Sequence, residues 1–310
     1  MKTFKSITNF YNKLSTFGKI LVFITCLLII VVFFKSITPQ IKEGMITSDN
    51  ILYKEGNEVY DNFYVGIYDY LVYNGIKNDY EVGKILNSSN PTETSVIVDI
   101  GCGTGHHVSN LASKNLEVIG VDISPSMIQK AKENYPENNF KVGNALDSHL
   151  FQMNSITHIL CLYFTIYYFK DKRHFFDNCM DWLMPGGFLI VHIVDREHFD
   201  PILPPGNPLY VVSPQKYAKE RITKTKITFN DFLYSSNFNL DKDNNIATFD
   251  EKFKFNDGKL RKQQQKLYME DTSTIINIAQ DCGFIIHAKI DLVKCAYENQ
   301  YLYVLIKPSS

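Results

Sequence analysis

Apolar and polar positions change their spacing several times along this chain, and each change predicts an element. Ile20 to Phe34 is a run of fifteen residues in which Thr25 alone is polar. Tyr60, Tyr64 and Tyr68 then recur every fourth residue, with Phe63, Ile67 and Leu71 beside them, which is a helical stripe. Asn87 to Thr94 is polar, contains Pro91, and reads as a loop. Val96 to Ile100 is a short run rich in Val and Ile, the pattern of a strand buried on both faces of a parallel sheet. After three glycines, His106 to Lys114 sets Val108, Leu111 and Ala112 on one face of a helix.

The alternation of strand and helix continues. Leu116 to Val121 predicts a second strand ending at Asp122, and Ser124-Pro125-Ser126 opens a helix through Met127, Ile128 and Ala131. Phe140 to Val142 predicts a third strand, Thr157 to Phe164 a fourth, and Lys172 to Trp182 an amphipathic helix. Leu183-Met-Pro-Gly-Gly187 reads as a turn into a fifth strand, Phe188 to Val194, because Pro ends the helix and glycine permits the reversal. A proline-rich loop, Asp195 to Pro208, follows. The period then drops to two, and Ile227 to Leu240, Ile246 to Phe255 and Leu260 to Met269 predict three antiparallel strands, with Asp257-Gly258 as a hairpin turn. Thr272 caps a helix that stops at Gly283, and Phe284 to Val293 and Gln300 to Ile306 complete the sheet.

These elements predict an α/β fold: a Rossmann-like, mostly parallel sheet with helices on both faces and an antiparallel insertion late in the chain. The expected division is a tail and membrane anchor over 1–37, a linker over 38–57 and one domain over 58–308, with the insertion at about 220–270. With 310 residues, 45% of them hydrophobic, burying a core is no difficulty. The formal net charge of −1 argues against a general nucleic-acid binder. The six cysteines show no C-x-x-C spacing and lie in or beside apolar runs, so they read as buried thiols and no metal site is expected.

The stretch that carries chemistry is Asp99-Ile-Gly101-Cys102-Gly103-Thr-Gly105. Glycines here let the backbone take unusual angles and let a ligand come close. A dinucleotide fingerprint would place its third glycine one residue later, where His106 stands. An acid two residues before the first glycine would repel a pyrophosphate but favours an ammonium or sulfonium neighbour. Asp122, about twenty residues on, is placed to accept hydrogen bonds from ribose hydroxyls. The Asp-x-Gly-x-Gly-x-Gly pattern, Asp122 and the Leu-x-Pro-Gly-Gly turn together resemble the class I S-adenosylmethionine-dependent methyltransferases of small-molecule type, over about residues 60–195.

That resemblance implies S-adenosyl-L-methionine as cofactor, cradled by Asp99, Gly101, Cys102, Gly103, Gly105, Asp122, Ile123, Met127, Asn144 and Ala145. At Asn144 the family usually carries an acid that meets the adenine amino group; asparagine keeps an acceptor oxygen without the charge. The insertion resembles, in position, the substrate-covering segment of glycine- and sarcosine-type N-methyltransferases.

Candidates for contact with the methyl acceptor are Tyr68, Tyr163, Tyr168, His192 and Asp195. The tyrosine stripe is either core packing or a lid. The aromatic cluster Tyr163 to Phe169 either cradles a cation or fills space. His192, between Val191 and Ile193, is either a site group or a satisfied strand histidine. No catalytic base stands out. Cys161-Leu-Tyr-Phe164 replaces the Asp/Asn-Pro-Pro-aromatic run of nucleobase amine methyltransferases, and no Pro-Cys nucleophile occurs.

The apolar run near the N-terminus spans about 22 Å as a helix, against a hydrocarbon core of about 30 Å. Snorkelling by Lys19 and Lys35 would extend it, and the Lys-Ser-Ile-Thr-Pro flank lacks a signal-peptidase site, so a transmembrane anchor is the expectation over a signal peptide or a core helix. Lys2, Lys5, Lys13 and Lys19 before the run, against Lys35, Lys42 and Lys54 after it, lean towards a cytoplasmic N-terminus. Cofactor supply argues for a cytosol-facing catalytic domain instead. The whole reads as a membrane-anchored, single-pass methyltransferase with a cytosol-facing domain. It would act on an N, O or C nucleophile of a small-molecule or lipid-soluble acceptor. A catalytically inactive binding module of the same fold is the alternative.

Overall fold

The computed structural model describes residues 14–37, 51–206 and 213–309. They divide into two units, Met1–Met45 and Ile46–Ser310. In the first, helix α1 spans Thr16–Ile37. Among the described residues no helix is long and apolar enough to cross a membrane. This overturns the expected N-terminal transmembrane helix, and with it the single-pass location and its cytosol-facing topology. The physical reason is length: the apolar run between Lys19 and Lys35 leaves about 8 Å of hydrocarbon uncovered. Residues 1–13 of the expected tail, 38–50 of the expected linker, and 207–208 of the proline loop with 209–212 after it lie outside the described residues.

The second unit is built around β2 (Val96–Ile100), whose last four residues are buried. Its parallel neighbours are β3 (Glu117–Asp122) on one side and β5 (Ile156–Cys161) on the other. Strand β4 (Asn139–Val142) pairs parallel with β3, and β6 (Leu183–Val194) pairs parallel with β5. Beyond β6 come β12 (Gln300–Ile306), antiparallel to it, and β11 (Ile285–Asp291), so the seven-stranded order is β11-β12-β6-β5-β2-β3-β4. The chain therefore runs outward from β2 on one side and returns to its other side as β5. Ligands bind at such a switch point, beyond the carboxyl ends of the strands.

Strand alternation sends side chains to two cores. Val98, Ile159, Cys161 and Val191 pack with Phe175, Phe176 and Trp182 of α6 (Lys172–Trp182) and with Ile275 and Ala279 of α7 (Thr272–Asp281). Ile97, Leu160, Ile190 and Val304 face the other way. They meet Val82 and Ile85 of α3 (Gly75–Ser89), Val108 and Leu111 of α4 (His106–Ala112) and Ile128 of α5 (Pro125–Asn134).

A second sheet has the order β1-β10-β9-β8-β7, from β1 (Ile51–Glu55), β7 (Lys224–Thr228), β8 (Phe232–Asp241), β9 (Ile246–Phe255) and β10 (Leu260–Tyr268). Tyr64 and Leu71 of α2 (Asn62–Val72) pack on its Phe232, Tyr234 and Phe253.

Several details differ from the pattern-based expectation. Residues 51–55, inside the expected linker, pair parallel with β10 some two hundred residues away, which no local pattern reveals. The expected strand 227–240 is two strands with a turn between them. Asn87 to Ser89, expected as loop, end α3, and Asn90 stops that helix in the left-handed region. The buried face of α3 mixes Lys77, Asn78 and Glu81 with Val82 and Ile85, which blurs its apolar signature. Finally, β5 ends at Cys161 rather than Phe164, and Tyr163 takes a φ of 50°, a costly conformation outside glycine.

Candidate active site

The loop from β2 to α4 turns on backbone angles that side chains resist. Gly101, Gly103 and Gly105 have φ of 72°, 54° and 92°. A Cβ on Gly101 would stand 2.5 Å from the Thr165 hydroxyl, and one on Gly105 would stand 2.7 Å from the Phe140 ring. The N–H groups of Gly101 and Cys102 both donate to the carbonyl of Val121, which binds the loop to β3. Asp122 at the end of β3 accepts from Gly103 N at 3.0 Å and from Ser124 N at 2.8 Å. Burial pushes the Asp122 carboxyl up, against the backbone N–H groups of Ser124, Gly103 and Ile123.

These residues wall a cavity of about 440 Å³. Asp99, Gly101, Cys102, Gly103, Asp122, Ile123, Met127, Asn144 and Ala145 all line it; Gly105 does not, and serves instead as the N-cap of α4. Asp99 is buried, and burial followed by the charges of Asp122 and Glu81 pushes its carboxyl well up. No hydrogen-bond donor meets that carboxylate among the described residues, so this wall fits a positively charged group. Asn144 turns its oxygen to Leu146 N at 3.0 Å, leaving one lone pair for a ligand. The uncompensated Asp99, beside a loop whose Gly101 and Gly103 line the cavity at positive φ, therefore suits S-adenosylmethionine.

Of the acceptor-side candidates, Tyr68, Tyr163 and Tyr168 line the same cavity, whereas His192 and Asp195 do not. His192 is fully buried in β6, with Nδ1 against the carbonyl of Tyr163 and Nε2 at 3.0 Å from Gln300. Burial and the nearby Lys77 lower its pKa to about 4, so it is a neutral strand histidine. Asp195 lies past the end of β6 and pairs with His198 at 2.8 Å.

Two groups escaped the sequence reading. Lys77, 1% exposed, meets Glu81 at 2.5 Å and stands 3.7 Å over the Tyr163 ring, and Glu81 also meets His107 at 3.0 Å. Burial opposes the Glu81 charge, but Lys77 and His107 outweigh it and hold the carboxyl below its ordinary value. The second group is Arg261, Gln263 and Gln265 on β10, buried with Glu251 of β9. The available signal was polar residues at alternate positions of a strand whose inward phase also holds Leu267.

The switch-point cavity, the glycine cradle and the acid at the end of β3 define a class I S-adenosylmethionine-dependent methyltransferase domain, and the chain carries one. Residues 97–187 match the family of methyltransferase domains. The chain is 27% identical over 147 residues to a dTDP-4-amino-2,3,4,6-tetradeoxy-D-glucose N,N-dimethyltransferase of Saccharopolyspora spinosa, covering 45% of this chain and 57% of that one. It is 29% identical over 126 residues to a ubiquinone biosynthesis O-methyltransferase of Rickettsia felis, covering 40% and 51%. The chain thus spans about half the length of the curated relatives it matches. A solved S-adenosylmethionine-dependent methyltransferase of Clostridium acetobutylicum shares the fold, with a TM-score of 0.59 at 16% identity over 80% of this chain and 98% of that one.

Proposed function

We propose that this protein transfers a methyl group from S-adenosylmethionine to a small-molecule acceptor held between the parallel sheet and the 220–270 insertion. One observation carries the reading: a single cavity runs from Asp99 and Asp122 to Tyr168, Phe249, Gln265 and Leu267, joining the glycine cradle to the inner face of the second sheet. When bound, the cofactor supplies an electrophilic methyl group, so the protein's work is positioning and exclusion of water. In this reading Gly101 and Gly103 allow close approach, Asp122 accepts from the ribose hydroxyls, and Asp99 faces the amino group of the methionine moiety. Asn144 and Ala145 flank the adenine, with Ile123 and Met127 as apolar walls. Burial raises Tyr60, Tyr64, Tyr68 and Tyr168 above the ordinary phenol range. These phenols stay protonated at neutral pH and orient the acceptor rather than deprotonate it.

The test is incubation of the full chain with methyl-labelled cofactor and the small-molecule fraction of a cell extract. The expected result is a labelled low-mass product formed in equal amount with S-adenosylhomocysteine. Asp122→Ala removes a charge-assisted pair of acceptors worth about 1.5–3 kcal/mol, so calorimetry should read at least tenfold weaker cofactor binding. Unchanged affinity in a folded Asp122→Ala protein would refute the cradle. Cofactor binding without any S-adenosylhomocysteine would favour the inactive binding module.

A further inference from the structure

The polar network behind the chamber fixes which way its hydroxyl groups point. Arg261 is a donor only, and its Nε donates to Gln263 Oε1 at 2.7 Å. Gln263 must therefore turn its amino end to Glu251, which it meets at 2.7 Å. Glu251 is 2% exposed and accepts four bonds: Tyr64 Oη at 3.0 Å and Tyr234 Oη at 2.7 Å on one oxygen, Gln263 and Gln265 on the other. Gln265 gives its amino group to Glu251 at 2.9 Å and to Tyr64 Oη at 3.2 Å, so both of its hydrogens are used. Its carbonyl oxygen then has one direction left, towards the cavity.

Two tyrosines meet that oxygen there. Tyr168 donates to Gln265 Oε1, and Tyr60 donates to the same oxygen at 3.1 Å or to Tyr168 Oη at 2.8 Å. Both hydroxyl hydrogens are drawn back into the wall. What Tyr60 and Tyr168 present to the chamber is lone pairs, on rings that line it together with those of Tyr64 and Tyr68. The ring of Tyr60 lies 5.8, 6.5 and 6.4 Å from those of Tyr64, Tyr68 and Tyr168. The one lysine among the described lining residues, Lys77, is neutralised by Glu81.

We propose that the methyl acceptor is an amine, selected because Glu251 and Gln265 lock the Tyr60 and Tyr168 hydroxyls as hydrogen-bond acceptors. This rests on the methyl-transfer reading above and narrows it. An ammonium brings donors and positive charge to lone pairs and ring faces; an alcohol or phenol of the same shape brings one donor and no charge. For transfer, the arriving ammonium releases a proton to water, and the nitrogen lone pair forms the new N–C bond. The C–S bond breaks with its pair left on sulfur, so the product pair is a methylammonium and a thioether. Glu251 touches no reactant in this scheme and is a positioning residue.

The test is calorimetric binding of benzylamine against benzyl alcohol, and of cyclohexylmethylamine against cyclohexylmethanol, to the full chain saturated with S-adenosylhomocysteine at pH 7.5. Each amine should bind at least tenfold more tightly than its alcohol. In Glu251→Gln the new carboxamide can donate, Gln265 can turn over, and the preference should fall by at least tenfold with S-adenosylhomocysteine affinity unchanged. Tyr168→Phe, a second variant should Glu251→Gln not fold, should weaken amine binding several-fold and leave alcohol binding alone. Failure of S-adenosylhomocysteine itself to bind would bring down the methyl-transfer reading and this inference together. Bound S-adenosylhomocysteine with equal amine and alcohol affinities, or with no saturable amine binding, would overturn this inference alone.

Discussion

Two glycines show how much a single methyl group depends on where it is placed. Gly105 combines a φ of 92° with a Phe140 ring 2.7 Å and an Ala131 Cβ 3.2 Å from any added Cβ. Both partners are buried, so neither gives way cheaply. The left-handed backbone and the overpacking add, and Gly105→Ala should cost roughly 2–4 kcal/mol. Gly83 lies inside α3 with nothing within 4 Å of an added Cβ. There the same change removes unfolded-chain entropy at no steric cost and should stabilise by about 0.5–1 kcal/mol. Urea unfolding of the two variants should move the midpoint in opposite directions. A Gly105→Ala protein as stable as its parent would mean that the loop does not need the geometry described.

At the scale of elements, legibility followed how locally each is encoded. The Val96–Ile100 strand and its glycines could be read because burial on both faces and the positive φ values leave residue-level marks. Helix α3 could not, since its inner face carries Lys77 and Glu81, which are tolerable only once His107 and Tyr163 arrive from other elements. Strand β1 depends on β10, and the roles of Gln263 and Gln265 depend on Glu251, so their meaning is tertiary. Strand β6 illustrates a residue that chemistry suggested and packing claimed: His192 is held between the Tyr163 carbonyl and Gln300. Its pKa, lowered to about 4 by burial, lies below the ordinary 6.5, so between those values the unfolded chain takes up the proton and the folded one does not. The stabilisation is complete above pH 6.5 and is lost as pH falls towards 4. His158, also lowered by burial, acts in the same direction. From pH 7.5 to 4.5 the His192 share is on the order of 2–3 kcal/mol. Urea titrations at the two pH values should show that loss, and His192→Gln should flatten the slope. An identical slope in the variant would mean that His192 takes up its proton equally in the folded and unfolded chain.

For residues 51–309 as a whole, the arrangement of the apolar core decides whether the second sheet is a detachable cover. Phe238, Ala247 and Leu267 of β8–β10 belong to the same buried cluster as Val98, Ile159 and Val191 of the parallel sheet. Excising the insertion would open that cluster to water, with roughly 1.5–3 kcal/mol lost for each large apolar side chain exposed. The two sheets should therefore unfold together. Scanning calorimetry is expected to give one transition for them, with van't Hoff and calorimetric enthalpies in agreement. S-adenosylhomocysteine at a hundred times its dissociation constant adds about 2.7 kcal/mol to the folded state. For a unit of this size that raises Tm by roughly 5–10 °C. Because the cavity touches both sheets, slowed hydrogen exchange on ligand binding should reach β2 and β9 alike. Two transitions, or protection confined to the parallel sheet, would mean that the second sheet moves as a body of its own and that the acceptor chamber is assembled only when it closes.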